Sequence, residues 1–232
     1  MTKQVFVGYD TREDIAYQVC EYSIKRYNPS IKIVPLVQQE LRQKKIYWRE
    51  IDKLASTEFT FTRFLVPHLM NYKGWALFID CDIVFLEDVN NLFSLADDRY
   101  AVMCVKHEFK PKPGLKMDGQ VQTVYPRKNW SSVVLWNCAH PSNEKISVDS
   151  VNNPNYDGAF FHRFSWLKDE EIGELPCDWN WLVGWYKGGD GTPRAIHYTE
   201  GGPWFKNYRS CEFNQQWKEC LQEMMLQSPE TC

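Results

Sequence analysis

The chain has 232 residues, of which 44% are hydrophobic and 25% charged, and its formal net charge is -3. That length and balance suit one sizeable globular domain with a substantial core. They exclude a basic nucleic-acid-binding surface, and no stretch approaches the roughly 18 consecutive apolar residues of a membrane span.

Eight cysteines (Cys20, Cys81, Cys104, Cys138, Cys177, Cys211, Cys220 and Cys232) are spread without a C-x-x-C pair, which argues against a zinc cluster. Several sit in apolar runs, where a free thiol behaves as a small hydrophobe. The opening residues MTKQVFVGYD enter a strand directly, without the long apolar region of a signal peptide. The expectation is a soluble, cytoplasmic protein with reduced thiols. Aromatic residues reach 15%, ten of them Trp. Their flat faces suit sugar rings as well as core packing.

In chain order, Val5 to Gly8 reads as a first strand that stops at the turn signal Gly8-Tyr9-Asp10. Ile15, Ala16, Val19, Cys20, Ser23, Ile24 and Tyr27 follow at helical spacing until Asn28-Pro29, and Ile31 to Val37 is a second strand. Pro35 suggests an edge strand or a bulge there. Strand, helix and strand in succession point to a parallel α/β sheet, in which ligands lie outside the carboxyl ends of the strands. Gly8, Tyr9 and Asp10 fall at such a position, with Tyr9 able to stack on a base; a tight turn with an incidental aromatic explains them equally well. Gln38 to Lys53, polar and basic around Tyr47 and Trp48, reads as a surface excursion or flap.

Thr60 to Met70 reads as a helix that presents Phe61, Phe64, Leu65 and Leu69 on one face, turns Thr62 and Arg63 away, and kinks at Pro67. Arg63 is a candidate for a phosphate or a local carboxylate.

WALFIDCDIVFLEDV, Trp75 to Val89, reads as one strand buried on both faces and interrupted by Asp80 and Asp82. A carboxylate in such a place shifts its pKa, pairs, or binds a cation. Residues two apart on a strand share a side, so both can address one hard cation whose open positions would take diphosphate oxygens. The structural alternative is that both merely end the strand and cap the next segment.

Asp88 to Ala96 reads as a short helix and Tyr100 to Val105 as a strand. His107 to Asn129, rich in Lys, Pro and Gly, reads as a long loop of the kind that covers a site. Trp130 to Trp136 is a further strand, with Asn137 at its end able to point at a ligand, and Asp157 to Leu167 is a helix that the acid of Asp157 can cap. Leu175 to Trp185 gathers three Trp around Asp178 and Asn180. Gly188-Gly189-Asp190-Gly191 reads as a turn, because Thr192-Pro193 rather than a helix comes after it. Arg194 to Tyr198 is a last strand ending in His197, and Cys211, Phe213, Trp217, Leu221, Met224 and Met225 mark a C-terminal amphipathic helix.

VGYD at Val7 to Asp10, FTFTRFLVPHL, FIDCDIVFLED, and LPCDWN with IHYTEGGPW occur in the order in which they stand in nucleotide-sugar glycosyltransferases of the GT-A class. They most nearly resemble family 8, which includes glycogenin and bacterial lipooligosaccharide galactosyltransferases. The resemblance implies one α/β GT-A (Rossmann-like) domain over 1–232, with a mostly parallel central sheet flanked by helices. Its nucleotide-sugar half would be about 1–105 and its acceptor half about 106–232. It implies transfer of a hexose from a nucleoside diphosphate sugar, a UDP-sugar, to a carbohydrate hydroxyl. Asp80, Asp82 and His197 would hold Mn2+ or Mg2+ on the donor diphosphate, with Gly8, Tyr9, Asp10 and Arg63 beside the nucleotide.

Two departures from the family pattern stand out. Gly202 holds the position of a lysine that usually precedes the Pro-Trp pair, which leaves Lys206 as the nearest substitute for a phosphate contact. Asp157-Gly158-Ala159 replaces a D-Q-D stretch and keeps one acid, so Asp178, set among Trp179, Trp181 and Trp185, becomes the preferred catalytic base with Asp157 beside it. Two other functions are compatible with parts of the pattern. A sugar-phosphate nucleotidyltransferase needs a Gly-rich, Arg-containing first loop, whereas VGYDTRED has one Gly. A non-catalytic carbohydrate-binding module would use the Trp surface alone.

Overall fold

The first strand carries Val5, Phe6 and Val7 fully into the interior, and the strand containing Trp75 to Ile79 is buried at every position. Such strands are covered on both faces, and the chain supplies the covering helices between them. The computed structural model describes residues 3–50, 55–108, 114–116, 120–122, 127, 129–187 and 191–227. Along them run β1 (Gln4–Gly8), α1 (Asp14–Lys25), β2 (Lys32–Leu36), α2 (Gln38–Gln43), α3 (Val66–Leu69), β3 (Trp75–Ile79), β4 (Ile83–Phe85), α4 (Val89–Phe93) and β5 (Val102–Cys104). There follow β6 (Gly114–Lys116), β7 (Gln120–Gln122), β8 (Val133–Asn137), α5 (Val148–Asn152), α6 (Gly158–His162), β9 (Ile172–Glu174), β10 (Trp181–Leu182), β11 (Ala195–His197) and α7 (Asn214–Gln227).

The main sheet has six strands in the order β2-β1-β3-β8-β5-β9. β1 pairs in parallel with both β2 and β3, and β5 with β9, whereas β8 is antiparallel to both its neighbours. All strands but β8 therefore point the same way, and the expected mostly parallel sheet is found. β2 lies at its edge, which accommodates Pro35 as its spacing predicts. A smaller sheet, β10-β11-β4, stands beside it, and β6 and β7 form a separate antiparallel pair. No helix among the described residues is long and apolar enough to cross a membrane.

Several expectations are corrected. Trp75 to Val89 is two strands rather than one: β3 belongs to the main sheet, β4 to the small one, and Asp80-Cys81-Asp82 is the step between them. An apolar run of this length hides the break, because both strands are fully buried. Thr60 to Met70 is a one-turn 3-10 segment, Thr62–Leu65, followed by the single turn of α3. Its different period brings Thr62 and Arg63 inward, to 0% and 5% exposure, instead of turning them away. The surface excursion from Gln38 contains α2 and buries Leu41 and Tyr47, while Trp48 stays 52% exposed. Residues 51–53 of that stretch, most of the long loop expected between His107 and Asn129, and Gly188 to Asp190 lie outside the described residues. Asn137 stands at the edge of the sheet opposite the one where Asp80 follows β3. Because β8 runs against its neighbours, its end meets Trp75 at the far edge of β3, and its side-chain amide donates to the carbonyl of Tyr100 at 3.2 Å.

Gly8 ends β1 beneath the ring of Phe59. A Cβ there would stand 2.3 Å from Phe59 Cδ2, closer than any tolerated carbon contact, so glycine is required by close approach. Gly8→Ala is expected to destabilise the protein by about 1–3 kcal/mol through overpacking, read as a lower urea midpoint at unchanged slope.

Candidate active site at the carboxyl edge of the sheet

The chain leaves the main sheet at Ile79 and re-enters the small one at Ile83, with its backbone fastened at both ends of the step. Asp80 N–H donates to Ser132 C=O at 2.9 Å, and Tyr198 N–H donates to Asp82 C=O at 3.0 Å. The first bond ties the step to the start of β8 and the second to the residue after β11. The two carboxylates then point to a common space.

Asp80 is held by Arg63. Arg63 Nη1 donates to Asp80 Oδ1 at 2.7 Å and to Ser131 C=O at 2.9 Å, and Nε donates to Phe59 C=O at 3.4 Å. The guanidinium lies 5.0 Å from the Phe59 ring centre and 4.9 Å from that of Phe78. A buried cation in this setting is satisfied by hydrogen bonds and by the ring faces together.

Asp82 is 7% exposed and meets His197, whose Nε2 stands 3.3 Å from Asp82 Oδ1. The other imidazole nitrogen, Nδ1, is 2.8 Å from Asn180 Oδ1, while Asn180 Nδ2 donates to Ser132 Oγ at 2.9 Å and Ser132 Oγ donates to Asn129 C=O at 2.7 Å. That relay orients the Asn180 amide so that its oxygen accepts from Nδ1–H. The lone pair of Nε2 is left facing the carboxylates, the arrangement by which outer hydrogen bonds prepare an imidazole ligand. One ligand atom from each of Asp80, Asp82 and His197 lies within 4.8 Å of the others. Three acceptors converging in a poorly hydrated space repel one another unless a cation or a proton sits between them. Two carboxylate oxygens and one imidazole nitrogen fit a hard or borderline divalent cation.

Glu13, at the end of the 3-10 segment Thr11–Glu13, brings a third carboxylate. It is 1% exposed; its Oε2 accepts from Cys81 Sγ at 3.6 Å, and Oε1 is buried without a hydrogen-bond partner. Burial, and then the charges of Asp82 and Asp10, push its pKa up to about 8.

The first loop is braced from inside. Asp10 is fully buried and accepts from Arg12 Nε at 2.9 Å, Arg12 Nη2 at 2.7 Å, Arg12 N–H at 2.9 Å and Glu58 N–H at 3.1 Å. Burial opposes ionisation, but the hydrogen bonds from Arg12 outweigh it and hold the Asp10 carboxyl below its usual range. Tyr9 donates its hydroxyl to Asp14 Oδ1 at 2.7 Å, and its ring meets Tyr17 edge-on at 5.4 Å.

Asp178 is not brought to the cluster. It lies in the 3-10 segment Cys177–Asn180 but contacts Arg194 Nε at 2.9 Å, at the Phe85 end of the small sheet, whereas His197 pairs with Ile83 at the other end. Asp157 is exposed and caps α6, accepting from Phe160 N–H at 2.8 Å; the far end of the same helix places His162 Nδ1 2.7 Å from Ser131 Oγ. Lys206 is exposed on a separate 3-10 turn, Lys206–Tyr208. A Cβ on Gly202 would stand 1.9 Å from Trp204, whose ring packs on Tyr198 and Trp217 at 5.8 and 5.5 Å. The absence of lysine at 202 thus has a steric reason.

Asn180, Ser132, Glu13 and His107 were not singled out by sequence for any role at this edge. His107, after β5, is buried; Tyr186 Oη stands 2.6 Å from its Nδ1, while its Nε2 has no hydrogen-bond partner. Burial, reinforced by His197, lowers its pKa to about 3.

The mostly parallel six-stranded sheet has the GT-A fold of its structural neighbours, and with the family match that follows it defines a glycosyltransferase of the GT-A class. The chain belongs to glycosyl transferase family 8, whose sequence model matches residues 7–156. It is similar to Protein CDI of Arabidopsis thaliana, with 54% identity over 225 residues that make up 95% of this chain and 86% of that protein. Among solved structures, the apo WbbM bifunctional glycosyltransferase shares the fold at a TM-score of 0.65 and 17% identity, covering 97% of this chain and 51% of that one. Apo GlyE of Streptococcus pneumoniae does so at 0.60 and 19%, covering 98% and 64%. The galactosyltransferase LgtC, in complex with donor and acceptor sugar analogs, does so at 0.55 and 8%, covering 95% of each chain. The chain therefore spans about half of WbbM and just under two thirds of GlyE.

Two outcomes are expected of this geometry. Nitrogen NMR of the wild-type protein is expected to show His197 protonated at Nδ1, and Asn180→Leu to give a mixture of tautomers. For Glu13, the folded state keeps a proton between about pH 4.5 and 8 that the unfolded chain has released, so this group's contribution lowers stability as pH rises through that window. The stability difference between Glu13→Gln and wild type should change across the same interval in urea titrations of metal-free protein.

Proposed function

We propose that this glycosyltransferase moves a hexose from a nucleoside diphosphate sugar, a UDP-sugar, to a carbohydrate hydroxyl, with a divalent cation held by Asp80, Asp82 and His197. The observation that carries this reading is the convergence of those three ligand atoms within 4.8 Å, with Nε2 of His197 kept open by Asn180. A bound Mn2+ or Mg2+ supplies neutralisation of the charge that develops on a departing diphosphate.

The chain's own residues prepare that site. Arg63 fixes one oxygen of Asp80 and balances its charge, and the second ligand, Asp82, sits opposite His197. Gly8, Tyr9 and Asp10 stand at the carboxyl end of β1, next to β3, where the nucleotide belongs. In this reading Tyr9 offers its ring to the base, and Asp10 acts through Arg12 to hold the loop rather than touching the donor.

Of the two acids considered for proton transfer, Asp178 is engaged by Arg194, which supports a role in holding the Cys177–Asn180 turn. Asp157 heads the helix that reaches Ser131, and it is the better supported of the two. Exposed Lys206 is the remaining candidate for a phosphate contact. The free thiols of Cys20, Cys81, Cys104, Cys138, Cys177, Cys211 and Cys220 support a reducing compartment such as the cytoplasm.

Calorimetric titration of UDP into the protein is expected to show affinity that depends on manganese and disappears with chelator. Asp80→Asn, Asp82→Asn and His197→Gln should each lower that affinity by about 100-fold, together with donor turnover. Retention of manganese-dependent nucleotide binding in all three variants would refute the assignment. Saccharide binding indifferent to both nucleotide and metal would instead mark a carbohydrate-binding module.

A further inference from the structure

The proposed reaction leaves Glu13 without a task, although its burial is a costly feature of this edge. It is 1% exposed, yet the guanidinium of Arg12, beside it in sequence, goes to Asp10 and to Ser56 C=O instead. The charges that reach Glu13 most strongly, those of Asp82 and Asp10, are carboxylates like itself. A carboxyl group in such surroundings costs stability that an apolar side chain of the same size would not.

Its contacts give a reason for keeping it. Glu13 Oε2 accepts from Cys81 Sγ at 3.6 Å, and Cys81 is the middle residue of the step, with a ligand to the proposed cation on either side of it. Cys81 and Asp82 lie in a turn, so no ladder of strand hydrogen bonds runs through them. Backbone bonds fasten the two ends of the step, Asp80 N–H to Ser132 C=O and Tyr198 N–H to Asp82 C=O. The Cys81 thiol, itself 1% exposed, is the contact in between.

The other carboxyl oxygen is near a further segment. Oε1 is buried without a hydrogen-bond partner, and so is Trp204 Nε1, whose N–H favours the charged form of Glu13. Trp204 is in turn wedged between Tyr198 and Trp217. The first loop, the step and the segment after His197 therefore meet at this one side chain. Glu13 is not among the three convergent ligand atoms, and its place is beside them.

We infer that Glu13 is a positioning residue, which by accepting from Cys81 fixes the turn that carries Asp80 and Asp82 in the geometry a cation requires. The inference rests on the transferase reading above for the cation. It goes further in assigning the hold on the ligands to a residue of the first loop.

The test compares Glu13→Leu, Glu13→Gln, Cys81→Ala and the double variant Glu13→Leu/Cys81→Ala in the full chain. In metal-free protein, amide hydrogen exchange at Asp80 and Tyr198, the donors of the two fastening bonds, should quicken by about tenfold in Glu13→Leu and in Cys81→Ala, while Phe78 within β3 keeps its rate. Glu13→Gln, which retains an acceptor at the same reach, should match wild type. Manganese affinity, read by electron paramagnetic resonance, should fall by about tenfold in Glu13→Leu and in Cys81→Ala, the lower end of what outer hydrogen-bond partners contribute, and be restored in Glu13→Gln. The double variant should be no weaker than either single one, since both remove the same contact. Exchange quickened equally at Asp80, Tyr198 and Phe78 marks a packing role alone and overturns the inference. So do wild-type exchange in Glu13→Leu, a loss in Glu13→Gln as large as in Glu13→Leu, or additive losses in the double variant. If Glu13→Leu does not fold, Cys81→Ala decides on the same amides. Failure of wild type to bind manganese sinks the metal reading, and the exchange rates still decide whether Glu13 holds the turn.

Discussion

An ionised carboxylate cannot be withdrawn from water without a partner, and the step between β3 and β4 withdraws two of them at once, beside the carboxyl group of Glu13 from the first loop. Each meets a different neighbour. Asp80 receives the buried guanidinium of Arg63, Asp82 faces the imidazole of His197, and Glu13 keeps its proton up to about pH 8. Much of the surrounding packing depends on the first of these. Arg63 can be buried because Phe59 and Phe78 offer their rings and because Phe59 C=O and Ser131 C=O accept its hydrogens. Phe59 reaches that position only because residue 8 is glycine, so a requirement at the end of β1 traces back to a charge some seventy residues later in the chain.

The contact between Asp82 and His197 organises the other side of the site. His197 arrives on the small sheet, and its orientation is set by an amide from the Cys177–Asn180 turn and a hydroxyl from the start of β8. Three distant segments thus agree on the direction of one lone pair. The antiparallel course of β8 makes this agreement available. Its first residues, and the serines just before it, stand at the edge where the parallel strands end. A parallel strand in the same place would have presented Asn137 there instead.

Much of this was legible in the sequence because it depends on local pattern. The strand, helix and strand at the N-terminus and the edge position marked by Pro35 come from spacing and residue type, whereas the pairing of Asp80 and Asp82 with His197 comes from the resemblance to family 8. The features that escaped depend on relations that sequence does not carry. A continuous apolar run conceals the point where the chain passes from one sheet to another. Arg63 reads as outward-facing at a period of 3.6 and turns inward at a period of three. Asp178 lies in the LPCDWN stretch, but the guanidinium that engages it comes from Arg194, sixteen positions on. Asn180 is equally visible and equally uninformative until its amide is seen against an imidazole 17 residues away. The lysine missing at 202 is visible as a departure, whereas its cause, the seat of Trp204, is not.

The strand order has an implication for how the molecule can be divided. β3 and β5 both belong to the part that precedes residue 105, yet they do not touch each other: β8, from the later part, lies between them, and β9 closes the outer side of β5. A chain severed after Cys104 would expose two long-buried strands with unanswered backbone hydrogen bonds, a template for self-association rather than a nucleotide-binding fragment. The part before residue 105 and the part after it are therefore inseparable as folding units, because each is completed by hydrogen bonds that only the other can supply.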